Sequence, residues 1–133
     1  LSFDVHIQII EGSDLGRGFT GADWFWDEQG NLQVRVSRLN DWRKEFSLAI
    51  HEAVEAALCK HNGVSQEAVD VFDREYEKIH WTDLDAGDDP DAPYRREHCF
   101  ASACERMLIA EFGVSWKEYD DDLEAVGRPK ESV

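Results

Sequence analysis

A chain of 133 residues with 42% hydrophobic composition has the size and apolar content of one domain with one sizeable core, so one domain is expected rather than two. Its net charge of −15 disfavours nucleic acid and anionic membranes as partners, because both are bound by neutralising phosphate with Lys and Arg. No stretch reaches the roughly eighteen consecutive apolar residues of a membrane span, and the first residues show no basic region followed by an apolar run, so a soluble cytoplasmic protein is expected.

Phe3, Val5, Ile7 and Ile9 alternate with Asp4, His6 and Gln8, the period-two pattern of a strand with one buried face. Residues 12–21 read as a loop. Residues 22–27 and 32–39 are rich in aromatic and β-branched side chains and flank Asp27, Glu28, Gln29, Gly30 and Asn31, which have the composition of a hairpin connection. About three antiparallel strands follow from these segments.

From Asp41 the period becomes helical. Asn40 or Asp41 can cap the helix, which runs to Lys60, His61 and Asn62 before Gly63 stops it. A second helix starts with Ser65 as cap, passes through Ala68, Phe72 and Tyr76 and ends near His80. Residues 82–92 hold five aspartates with Gly87 and Pro90 and read as a loop; the order of acids does not fit a calcium-binding EF-hand. Pro93 suits the first turn of a third helix with an inward stripe of His98, Ala101, Cys104, Glu105, Leu108 and Phe112, closed by Gly113. Ser115 can cap a short fourth. The fold class is therefore α+β, a small sheet followed by three to four helices, with the domain at residues 1–126 and a disordered tail at 127–133.

The first helix carries the chemistry. Between Leu48 and Cys59 every residue is apolar except His51, Glu52 and Glu55. A helix apolar nearly all round is normally buried all round, so these ionisable groups stand where water is scarce and need compensation. Positions i and i+4 lie one above the other, so His51 and Glu55 can reach one ion. Imidazole and carboxylate are both ordinary zinc ligands, and other divalent transition metals accept the same pair. Glu52 projects beside them, at the position that holds the general base in helical His-Glu-x-x-His metal sites. The competing reading is a solvated helix edge, with Glu55 paired to Lys60 or an arginine.

A third ligand must come from another element, and His98 at the head of the inward stripe is the best candidate. Glu105, two turns further along, can be a fourth ligand or can orient one of the others. Asp73 on the second helix ranks as a supporting or alternative ligand. His6, His61 and His80 each have an ordinary explanation on a strand's outer face or at a helix end. Cys59, Cys99 and Cys104 form an odd set without CxxC spacing, two of them within stretches that look like buried helix, the pattern of reduced core cysteines in a cytosolic protein.

The order of strand, hairpin strand and a helix bearing His51, Glu52 and Glu55, followed by further helices, resembles a reduced zincin-like metalloprotease core. It is also similar to bacterial and prophage proteins with a His-Glu-x-x-Glu helix and a later Pro-Tyr-x-x-x-His segment, here Pro93, Tyr94 and His98. The resemblance covers roughly residues 32–111. It implies a zinc-dependent hydrolase of peptide or amide bonds, with His51 as ligand, Glu52 as base and Glu55 in place of the zincin's second histidine. That substitution leaves a second function open: a non-catalytic acidic protein with a structural metal or a buried polar cluster, meeting a basic protein partner. A third reading has no metal and pairs Glu52 and Glu55 with Arg35, Arg38 or Arg43.

Overall fold

The computed structural model describes residues 1–11, 21–80 and 85–127. Among them lie three strands, β1 (Val5–Ile10), β2 (Ala22–Trp26) and β3 (Leu32–Ser37), and four α-helices, α1 (Trp42–Asn62), α2 (Gln66–His80), α3 (Arg95–Glu111) and α4 (Trp116–Gly127). A single 3-10 turn at Ala86–Asp88 precedes α3. The α+β class expected from the sequence is the class observed. The loop read at 12–21 lies outside the described residues apart from Gly21, as does the tail read at 127–133 apart from Gly127.

The sheet is mixed rather than wholly antiparallel. β2 and β3 form the expected hairpin, with Gly30 in the left-handed region at φ 81° and Asp27 Oδ1 accepting from the amides of Gln29 and Asn31, both at 2.9 Å. β1 takes the other edge of β3 and runs parallel to it, giving the order β1-β3-β2. Alternation of side chains shows which face of a strand is apolar but not which way a neighbour runs. Once the hairpin has formed, β3 has one free edge, and the ten-odd residues before β2 permit a crossover to it. At that edge Val5 and Ile7 remain 48% and 44% exposed, so of the apolar face read into β1 only Phe3 and Ile9 pack against the core, both partly buried.

α1 is the central element. One side packs on β2 and β3 and another on α3, which is why its sequence is apolar nearly all round, although Trp42, Phe46 and Ala57 reach the surface. Its ends are fixed by local chemistry. The Asp41 side chain accepts from the amide of Arg43 at 3.0 Å, and Glu45 Oε2 reaches back to the amides of Leu39 and Asn40 at 2.7 and 3.2 Å. Gly63, at φ 74°, returns its amide to the last turn. Asp41→Ala should therefore cost about 1 kcal/mol of stability, read as a lower urea midpoint. His51 lies almost three turns inside the helix, so zinc stoichiometry should be unchanged; a midpoint equal to wild type would show that the cap is not used.

Candidate metal centre

Four polar side chains that should avoid the interior meet where α1 faces α3. His51, Glu55, His98 and Glu105 are 6%, 6%, 4% and 6% exposed, too little for water to hydrate their charges, and half-buried Glu52 stands beside them. His51 and Glu55 share a face of α1 as their spacing requires. His98 and Glu105 sit two turns apart on the facing side of α3 together with buried Ala101 and Ile109.

Glu55 Oε2 is the meeting point. It lies 3.2 Å from His51 Nε2 and 2.9 Å from His98 Nδ1, and the two imidazole rings are edge to face at 4.8 Å. One donor atom from each of the three residues lies within 4.8 Å of the others. Tetrahedral zinc, with ligand bonds of about 2.0–2.1 Å, sets its donors roughly 3.3 Å apart, close to the two shorter separations.

The atoms of these residues that face away from one another each have a polar group beside them. Glu55 Oε1 accepts from the indole Nε1 of Trp24 on β2 at 3.0 Å. His98 Nε2 lies 3.2 Å from Asp88 Oδ1 and 3.4 Å from Ser102 Oγ. His51 Nδ1 lies 2.8 Å from Glu105 Oε1, close but angled away from a hydrogen bond, so this buried nitrogen lacks an aligned partner. Tyr119 on α4 donates from its hydroxyl to the other oxygen of Glu105. A carboxylate on the distal nitrogen of each histidine is the arrangement that fixes ring orientation in metal sites.

Comparison of the chain with protein-family models, with curated proteins and with solved structures returns no match. The site is therefore read from its own chemistry.

That chemistry is strongly polarised. Burial works against charge on His51, but the carboxylates of Glu105 and Glu55, with Glu52 nearby, raise its pKa well above the ordinary histidine value. His98 follows the same pattern: burial opposes the charge, and Glu55 and Asp85 outweigh it. Burial alone would raise Glu55, yet the two imidazoles facing it hold it down at about 2. Glu52 goes the other way. Protein packed around its carboxyl, then the negative charge of Glu55, push its pKa well above the carboxylate range, and Asp85 and Asp23 add to the push against the pull of His51. Tyr119 is raised by burial and by Glu105, so it stays a hydroxyl donor.

The structure brings His51, Glu55 and His98 together and sets Glu105 behind His51 rather than at the donor cluster. Asp73 stands a step back: it accepts from the hydroxyl of Tyr94, whose ring lies edge-on to His98 at 6.1 Å. Arg38 and Arg43 pair with Glu11 and Asp41, and Arg35 forks onto Asp23. Lys60 lies over the Trp26 ring, so Glu55 is not the partner of the cations first considered for it. His6 and His61 are on the surface.

Trp24, Asp88, Ser102 and Tyr119 take part in the site without having been singled out in the sequence. A buried indole N–H requires an acceptor, and that requirement was the available signal for Trp24. The approach of the turn carrying Asp88 depends on Gly87, where an added Cβ would overlap the imidazole of His98.

Proposed function

We propose that this protein binds one divalent transition-metal ion, zinc foremost, through His51 Nε2, Glu55 Oε2 and His98 Nδ1, and that it is a zincin-like hydrolase of peptide or amide bonds. The observation that carries this reading is the division of labour within each ligand. The outward atoms of Glu55, His51 and His98 face Trp24, Glu105 and Asp88, while the inward atoms converge. A bound zinc ion would supply Lewis acidity, making water a usable nucleophile near neutral pH. Among the described residues the group has three members, and three protein ligands with one open position characterise catalytic rather than structural zinc sites.

Within that site Glu52 is the general base. The residue is half-buried with its carboxyl packed around by protein, it is adjacent to His51 in sequence, and it feels the charges of both His51 and Glu55. A cation held at Glu55 would favour the ionised form that the surrounding carboxylates now oppose, so the same ion that binds substrate would also ready the base. A cytoplasmic setting fits the three unpaired cysteines, Cys59, Cys99 and Cys104. No helix among the described residues is long and apolar enough to cross a membrane.

The depth of the cluster favours one other reading, a structural ion in a non-catalytic protein whose acidic surface meets a basic partner. Glu52→Gln separates the two. The hydrolase reading expects one zinc per chain in wild type and in this variant, substoichiometric zinc in His51→Ala and His98→Ala, and a loss of turnover of about 100- to 10,000-fold on removing the base. Retained turnover in Glu52→Gln removes the catalytic assignment. Wild type purified without zinc, and unable to take it up, removes the metal centre.

A further inference from the structure

The C-terminal helix reaches the candidate centre from outside the α1 and α3 pair, and its attachment is specific. Lys44 on α1 is a buried lysine, its side chain 6% exposed, whose ammonium donates to Glu118 Oε1 at 3.0 Å and to Asp122 Oδ2 at 2.6 Å on α4. Those two acids are four residues apart, on one face of the helix, and Tyr119 lies between them in sequence. At the N-terminal end of α4, the Arg106 guanidinium sits over the Trp116 ring at 4.3 Å, and that ring meets Tyr119 edge-on at 5.3 Å. Tyr119 is 0% exposed, and its hydroxyl ends on Glu105 Oε2, with Glu105 Oε1 facing His51 Nδ1 at 2.8 Å.

This chain of contacts has a chemical direction. The hydroxyl of Tyr119 holds one oxygen of Glu105, which leaves the other 2.8 Å from Nδ1 of His51. A carboxylate there favours the tautomer with the proton on Nδ1 and leaves the lone pair on Nε2, the atom that faces Glu55 and His98. The buried Nδ1 has no aligned partner in this structure, and Glu105 Oε1 is the acceptor within reach.

We propose, on the footing of the zinc reading above, that α4 is a working part of the metal centre: Tyr119 is a positioning residue that acts on His51 through Glu105, so zinc affinity and docking of α4 are linked. Linkage is reciprocal, so whatever factor docked α4 adds to zinc affinity, bound zinc must add to the docking of α4.

Two measurements on the full chain test this. The first is zinc affinity, by competition with a chromogenic chelator, for wild type, Tyr119→Phe and Glu105→Gln. The second is amide hydrogen exchange across α4 with and without zinc. Tyr119→Phe keeps the ring and removes the hydroxyl. Glu105→Gln keeps an acceptor for Tyr119 while turning donor hydrogens toward Nδ1, so it probes the same link with the helix still tied. Each variant should bind zinc about 10- to 100-fold more weakly. Zinc should slow exchange of α4 in wild type and much less in either variant, a response that loss of packing alone would not produce.

Should Tyr119→Phe fail to fold, Glu105→Gln decides. Affinities within twofold of wild type in a folded variant, or exchange of α4 that ignores zinc in wild type, overturn the linkage while leaving the metal site standing. Absence of zinc binding by wild type in the same titration overturns the metal reading, and this proposal with it.

Discussion

Glu55→Ala is expected to be the most damaging single substitution in the protein, in two separable ways. Without metal, one carboxylate satisfies three buried groups, the imidazoles of His51 and His98 and the indole N–H of Trp24. Removing one partner of a buried ion pair costs about 3–5 kcal/mol because the remaining charge is left uncompensated. Here the two imidazoles would also face each other at 4.8 Å, where the charge of His51 already opposes that of His98. The urea midpoint in the presence of a chelator should fall by a matching amount. With metal, the variant loses one of three donors and should retain no stoichiometric zinc. Glu55→Gln separates the contributions, since it keeps an acceptor for Trp24 and removes the charge, and should fall between alanine and wild type in stability. A Glu55→Ala protein with the wild-type midpoint and one bound zinc would show that Glu55 is neither counter-charge nor ligand.

The elements of the fold were largely legible because they rest on local chemistry. Asp41 as cap, Gly63 as stop, Ser65 before α2 and Ser115 before α4 act within a few residues of where they stand, and α1, α2 and α4 begin or end accordingly. Pro93, expected in the first turn of α3, instead lies before its cap Tyr94. The direction of β1 was not legible, because it depends on which edge of β3 the hairpin leaves open. The candidate site divides along the same line. His51 and Glu55 follow from spacing on one helix, and His98 and Glu105 from the inward stripe of another. What the stripe could not give was the partner of each residue. It also omitted buried Glu97 and Ile109, and it included Cys104 and Leu108, which are half-buried. Asp88 arrives on a turn whose approach is set by the absence of a side chain at Gly87. Tyr119 arrives on a helix whose docking depends on Lys44, 75 residues earlier. Such long-range arrangements leave no periodic trace.

Above neutral pH the stability of the protein should fall with rising pH without zinc and hold nearly level with it. The folded-state pKa values of His51 and His98 are raised, so in the chelated protein their contribution is fully present below the ordinary histidine value, about 6.5, and is lost as pH rises through the raised values. Glu55 bounds the window on the acid side. Held at about 2, it contributes above the ordinary carboxylate range, and that contribution is lost as pH falls toward 2. These shifts describe one shared cluster, so they define a single stability plateau between the two limits rather than separate increments. Zinc removes the alkaline limb. It requires neutral imidazoles and displaces their protons, so its affinity grows over the same rise in pH that weakens the metal-free cluster. An ion present at 100 times its dissociation constant stabilises the fold by about 2.7 kcal/mol. Melting temperatures from pH 5 to about 9, recorded with chelator and with zinc, should therefore diverge as pH increases, the chelated series falling and the gap widening. Parallel curves would mean that zinc and protons do not compete for His51 and His98. A chelated series that instead rose through neutral pH would mean that the histidines are not charged in the folded protein, and the counter-charge role given to Glu55 would fail with it.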